Sequence, residues 1–162
     1  YDAVIHINVG SKFSSCFQNA RLAAQEFGNV YVVDSENICT GQGYLVLQAA
    51  KWAADGLPPK NISMRLQGLA KRVELSFVLN QLDYMPICVG KYITDQLANR
   101  EDIDRSMVFI SSTQAKPGCM EAIKAGLRQY GNFENVYETD IGTTIGGYSG
   151  PGTIGIVFAR KQ

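Results

Sequence analysis

The chain has 162 residues, 46% of them hydrophobic, with fifteen basic residues against fifteen acidic ones. That length suits one ordinary domain or two small lobes, and the even charge gives no electrostatic reason to expect nucleic acid or an anionic membrane as the main partner. Four cysteines (Cys16, Cys39, Cys88, Cys119) form no C-x-x-C pair and stand beside a single histidine, which argues against a zinc site.

Cys16 and Cys119 fall within or near helical patterns and read as buried, reduced thiols, in keeping with a reducing cytosol. No apolar run approaches the length that spans a bilayer, and no signal peptide is visible. The sequence opens Tyr1-Asp2 without an initiator Met, already on the verge of a strand, and reads as a fragment.

Residues 3–9 (Ala-Val-Ile-His-Ile-Asn-Val) have the composition of a strand. Gly10-Ser11-Lys12-Phe13-Ser14 follows as a short loop, and a helix from Ser14 places Phe17, Ala20, Ala24 and Phe27 on one face before Gly28 ends it. Loops at the carboxyl ends of strands are where ligands of open α/β sheets collect. Hydroxyls together with unpaired helix N–H groups suit a small anion, a carboxylate or a phosphate. The plainer role for Ser14 is to cap the helix.

Residues 29–34 (Asn-Val-Tyr-Val-Val-Asp) form a second strand whose apolar run predicts burial on both faces. Gly41-Gln42-Gly43 leads into a helix over 44–54, and it is too short a signal for a nucleotide site. Pro58-Pro59 breaks the chain. Asn61 can cap a further helix to about Arg72, with Ile62, Leu66, Leu69 and Ala70 inward. Residues 73–79 are a third strand. This β-α-β-α-α-β order predicts one parallel sheet with right-handed crossovers.

The second half begins with a helical turn over 82–85 and a short strand over 86–89, with an abrupt change at Met85-Pro86. Residues 95–105 are polar and read as an exposed helix or loop, and 106–111 as a strand. Pro117 is well placed to open a helix to Tyr130, with Gly131 past its end. Residues 135–139 form a strand, 142–152 a glycine-dense loop and 153–159 a last strand.

Nucleophilic catalysis needs a base beside its serine or thiol. The one histidine, His6, lies inside a strand, where a structural role fits better than service to a crevice. None of the G-x-S-x-G, G-x-x-x-x-G-K-[ST] or G-x-G-x-x-G patterns occurs. Asp34, at its strand's end, is the best-placed acid, although it can equally cap the following turn. The loop Gly142-Thr143-Thr144-Ile145-Gly146-Gly147-Tyr148-Ser149-Gly150-Pro151-Gly152 combines hydroxyls with glycines that let backbone approach a ligand. Two hydroxyl-rich loops without a strong base favour binding over catalysis.

Three segments in order over nearly the whole chain resemble the DegV family. Ile7-Asn8-Val9-Gly10-Ser11-Lys12-Phe13-Ser14-Ser15-Cys16-Phe17-Gln18-Asn19-Ala20 is similar to its I-x-[IL]-S-S-x-L-S-G-T-[YF]-x-[SN]-A pattern. Val32-Val33-Asp34-Ser35 with Gly41-Gln42-Gly43 resembles V-V-D-[ST]…G-x-G. Ile145-Gly146-Gly147-Tyr148-Ser149-Gly150-Pro151-Gly152-Thr153-Ile154-Gly155 resembles I-G-x-H-x-G-P-G-[AT]-[LVI]-G. The resemblance implies a cytoplasmic bacterial lipid carrier of two small α/β lobes, with mainly parallel or mixed sheets flanked by helices and a ligand crevice between the lobes. The expected division is residues 1–85 and 86–162.

The ligand so implied is one long-chain fatty acid, whose carboxylate some members present to a kinase subunit. No catalytic group, cofactor, metal, nucleic acid or integral membrane segment is implied. Ser11 matches the serine that hydrogen-bonds the carboxylate, and Ser14 the serine opening the next helix. Gly146, Gly147, Tyr148 and Ser149 match the element that closes over the head group. Phe13 and Phe17, with Tyr44 and Leu45, are wall candidates by position, each of which could equally be plain core.

Tyr148 replaces the family histidine and loses a group able to carry positive charge near neutral pH. Gly10 and Cys16 replace a serine and a threonine. The family's opening strand, its T-S-Q-P-S segment and its K-G-G-R-[IV]-S stretch have no counterpart, so Met85-Pro86 reads as a junction between residues that are apart in a fuller chain. A small-molecule kinase or hydrolase using Asp34 and Ser11 in the same crevice is the alternative.

Overall fold

The computed structural model describes residues 1–79 and 85–162, with the backbone alone described for 85–88. The elements run β1 (Val4–Asn8), α1 (Cys16–Ala24), β2 (Val30–Asp34), α2 (Cys39–Ala54), α3 (Pro59–Ala70), β3 (Val73–Val78), α4 (Met85–Leu97), β4 (Ile103–Ser112), α5 (Pro117–Gly126), β5 (Val136–Asp140), α6 (Thr143–Ser149) and β6 (Ile154–Arg160). They divide into two units, Tyr1–Val73 and Glu74–Gln162.

In the first unit β1 and β2 pair in parallel, Val4 opposite Val30 through Asn8 opposite Asp34. The α3 pattern forms as its periodicity predicts, with Ile62, Leu66, Leu69 and Ala70 all buried. The helix opens two residues before Asn61, at Pro59, because proline at the first helical position needs no N–H partner. Helix α2 begins at Cys39, upstream of the expected start, and takes Gly41 and Gly43 into its first turns.

Packing on the other side is thinner than the sequence suggests. Helix α1 starts at Cys16 and carries no fully buried residue; Phe17, Ala20 and Ala24 are half-buried, while Phe27 is exposed. In β2 only Val33 is fully buried, so the expected burial of both faces is not met. His6 is exposed on β1, and Cys16 is exposed rather than buried, whereas Cys119 is buried as expected.

The second unit is a four-stranded sheet in the order β3-β6-β4-β5, with β4 parallel to β5 and antiparallel to β6. Strand β3 therefore does not extend the β1–β2 sheet, and the division falls near Val73 rather than at 85/86. Long-range contacts hold it there. Glu74 pairs with Arg100 at 2.8 Å and with Arg160 at 3.1 Å, and the Ser76 hydroxyl meets the hydroxyl of half-buried Tyr92 at 2.8 Å. Gly155 on β6 leaves room for the Ser76 backbone, since a Cβ there would stand 2.8 Å from the Ser76 carbonyl oxygen.

Strand β6 is buried on both faces, as its near-continuous apolar run requires. Ile154, Ile156 and Phe158 pack into one core with Ile93 and Leu97 of α4, Ile110 of β4 and Ile123 of α5. Helices α4 and α5 meet at Gly126, where any Cβ would collide with Ile93. Residues 86–89, expected as a strand, belong to α4 instead, and that helix runs on to Leu97. The turn expected over 82–84 lies outside the described residues. Helix α5 gives way at Leu127 to a π-helical stretch ending at Gly131, and the Arg105 guanidinium caps the carbonyls of Tyr130 and Gly131.

Residues 142–152 are not an open loop. Helix α6 occupies seven of them, held by Gly146 N–H to Gly142 carbonyl and Gly150 N–H to Gly146 carbonyl, both 2.8 Å. Gly150, at φ 81°, ends it in a conformation that favours glycine. Among the described residues no helix is long and apolar enough to cross a membrane.

Candidate ligand site

Each unit places one of the predicted segments at the carboxyl ends of parallel strands, the position open α/β sheets use for ligands. In the first unit Asp34 organises that end. Its Oδ1 accepts the backbone N–H of Ser11 and that of Glu36, each at 3.0 Å. Burial pushes the Asp34 carboxyl up, but hydrogen bonds from Ser11 and Glu36 and the charge of Lys12 outweigh it and hold it below its ordinary value. Asp34 is thus an ionised acceptor that fixes the Ser11 turn.

The turn packs closely on the segment after β2. Gly10 donates to the Asn37 carbonyl at 2.7 Å, and a Cβ on Gly10 would stand 2.9 Å from the Asn37 nitrogen and the Glu36 carbonyl carbon. Glycine at this position, one of the departures from the family pattern, is therefore required by close approach of backbone. The Ser35 hydroxyl accepts the Asn37 N–H in a serine turn, and the Asn37 amide donates to the Ser35 carbonyl and presses on Gly41, where a side chain would not fit. The Gln42 amide then donates to the Ile7 carbonyl at 2.8 Å, tying α2 to β1. The G-x-G of this segment thus serves helix packing.

Ser11 stands half-buried at the head of this turn. The Ser14 hydroxyl accepts the Cys16 N–H at 3.2 Å and lies 3.0 Å from its sulfur, so Ser14 serves the start of α1. Phe13 is 60% exposed and Phe17 half-buried beside Arg21, and neither lines the apolar groove of this unit. Tyr44 and Leu45 are wholly buried core. The groove, about 530 Å³, runs between β1 and helices α2 and α3, and every residue lining it is apolar, Ile5, Ile7, Val46, Leu57 and Ile62 among them.

In the second unit Thr113 and Thr153 brace α6. The Thr113 hydroxyl donates to the Gly150 carbonyl at 2.7 Å and accepts the Thr153 N–H at 3.0 Å; the Thr153 hydroxyl donates to the Ser149 carbonyl at 2.8 Å. Gly146 borders a cavity of about 630 Å³ at the ends of β4 and β5, with Ser112, Gln114, Asp140 and Thr143. Tyr148 projects at 91% exposure from α6, and Gly147 is exposed beside it. The Ser149 hydroxyl is buried and has no hydrogen-bond partner among the described residues.

Ser11, Ser14, Phe13 and Phe17 thus lie in the first unit, and Gly146, Gly147, Tyr148 and Ser149 in the second. Sequence reasoning missed the bracing role of Thr113, far from the glycine segment in the chain. Among the described residues no group of three or more His, Cys, Asp or Glu is placed to hold a metal.

Fold and strand ends together define an α/β protein of two units, each with a glycine- and hydroxyl-rich connection beside parallel strand ends. The family model described as "Uncharacterised protein, DegV family" matches residues 1–86, and the chain belongs to that family. Protein DegV of Bacillus subtilis is 35% identical over 88 residues, which cover 52% of this chain and 31% of that protein. A DegV domain-containing protein of Deinococcus radiodurans is 34% identical over 52% of this chain and 30% of its own length. The chain thus spans under a third of those two relatives' length.

A DegV domain-containing protein of Caldanaerobacter subterraneus matches at 25% identity across 99% of this chain and 72% of its own. That match extends over 202 residues, more than the 162 of this chain, so the relative carries internal residues absent here. Among solved structures, a DegV lipid-binding protein from Thermotoga maritima superposes with a TM-score of 0.82 at 18% identity, covering 100% of this chain and 70% of that one. A DegV family protein from Thermus thermophilus, described by its fatty-acid binding, gives 0.77 at 20% identity, covering 99% and 71%. One from Eubacterium eligens, loaded with heptadecanoic acid, gives 0.77 at 11% identity, covering 99% and 74%.

Proposed function

We propose that this protein is a cytoplasmic carrier that binds one long-chain fatty acid and has no catalytic group of its own. The observation that carries the reading is a fold shared over nearly the whole chain with DegV proteins described as binding lipid or fatty acid. An acyl chain needs an apolar slot, and the groove between β1 and helices α2 and α3 has an all-apolar lining and a volume in the range of ligand pockets. The carboxylate needs fixed donors in place of water. Ser11, beside parallel strand ends, supplies one, and Ser14, Phe13, Phe17, Gly146, Gly147, Tyr148 and Ser149 are the other proposed ligand residues. A kinase subunit that phosphorylates the presented carboxylate is the proposed partner.

The rival, a small-molecule kinase or hydrolase with Asp34 as its base, has less in its favour. A carboxyl held below its ordinary value and already accepting two backbone N–H groups is a poor proton acceptor. Native mass spectrometry of gently purified protein, followed by organic extraction, should find mass in the fatty-acid range, and the delipidated protein should bind oleate. Ser11→Ala should weaken that binding about ten- to a hundredfold, the loss of one hydrogen bond to a charged acceptor. Protein that carries no lipid and binds none when offered it contradicts the carrier reading, and turnover of a substrate by the protein alone would favour the rival.

A further inference from the structure

Asn8, the last residue of β1, is 6% exposed, yet its side-chain nitrogen donates to nothing among the described residues. A buried donor without an acceptor costs free energy that an apolar side chain of similar size would not. Such groups are few in a native fold, and each calls for a reason. The reason lies in its neighbours. Asn8 is the register partner of Asp34 at the ends of parallel strands, so the two side chains leave the sheet on the same face. Its own carbonyl is used, accepting the Ser35 N–H at 3.2 Å, and Asp34 Oδ1 is used by Ser11 and Glu36. Two residues beyond Asn8 comes Gly10, pressed against Glu36 and Asn37, and then Ser11.

We infer that Asn8 is a further head-group residue, its amide N–H reserved for an oxygen of the ligand's carboxylate beside the Ser11 turn. This rests on the fatty-acid reading above but not on the groove, whose Ile5 and Ile7 face the other side of β1. An amide is the side chain the position needs. A carboxylate arriving near ionised Asp34 meets a like charge, and a neutral donor offsets that without itself pairing to Asp34. A lysine or arginine there would form an ion pair with Asp34 and occupy the space. The terminal torsion of asparagine is broad, so the amide can turn to an arriving oxygen without leaving its rotamer.

The test is oleate titration and ligand-free thermal melting of the protein and two variants. Asn8→Leu removes the unpaired donor, so it should melt at or above the wild type while binding oleate about ten- to a hundredfold more weakly. Asn8→Asp keeps the shape, removes the donor and adds a like charge, and should bind more weakly still. Affinity within about twofold of wild type in either folded variant overturns the inference. So does a leucine variant that melts lower or fails to fold, since Asn8 would then be serving the fold. Wild-type protein that binds no oleate removes the carrier reading and this inference together, whereas equal binding by wild type and variants removes this inference alone.

Discussion

At the scale of single residues, Asp34 links the local chain to stability. Its carboxyl is lowered from the ordinary 3.8 because the Ser11 and Glu36 hydrogen bonds and Lys12 outweigh the opposing effect of burial. A carboxyl with a lower pKa in the folded than in the unfolded chain adds stability above its unfolded value, and that stability is lost as pH falls through the folded one. Acid should therefore loosen the turn formed by Ser11 and Glu36 below about pH 4. Asp34→Asn should lower stability at neutral pH and flatten the melting-temperature profile below about pH 5. Melts of both proteins across that range check this, and parallel profiles would exclude Asp34 as a source of the acid sensitivity.

At the scale of elements, the lesson is in β3 and α6. Strand β3 joins β6 because Gly155 admits its backbone, and an added methyl would stand 2.8 Å from the Ser76 carbonyl oxygen. Gly155→Ala should therefore destabilise the second unit by about 1–3 kcal/mol, the usual cost of overpacking a well-packed site. Denaturant unfolding measures it, and an unchanged midpoint would mean that β3 yields at little cost. Helix α6 shows the reverse error of reading. Seven residues rich in glycine and threonine still form a helix because Thr113 and Thr153 tie its carboxyl end to the end of β4. Local propensity is a weak prior against such tertiary bonds.

At the scale of the molecule, binding and stability are one quantity. A ligand that binds the folded state alone stabilises it by about 2.7 kcal/mol at a hundred times its dissociation constant. Oleate should thus raise the melting temperature progressively with concentration. Its methyl ester, which lacks the charged head that Ser11 and Asn8 would hold, should raise it less. Equal shifts from acid and ester would argue that the apolar groove acts without the Ser11 turn.

The sequence by itself determined most of the element order. Apolar periodicity located β1, β2, α3, β4, β5 and β6, because burial of one face or both imposes that spacing wherever a chain folds. Motif order over Ser11, Asp34 and the glycine segment was enough to identify the family. What it could not decide was which elements meet. The place of β3 depends on Arg100, Arg160, Tyr92 and Gly155, all distant in the chain. The exposure of α1 depends on what packs over it, and the helical state of 86–89 on the α4–α5 contact at Gly126. Gly10 read as a lost hydroxyl until the fold brought Asn37 against it. Asn8 read as one polar residue in a strand until tertiary structure buried its amide beside Asp34, because burial without a partner belongs to the packed chain and has no local signature.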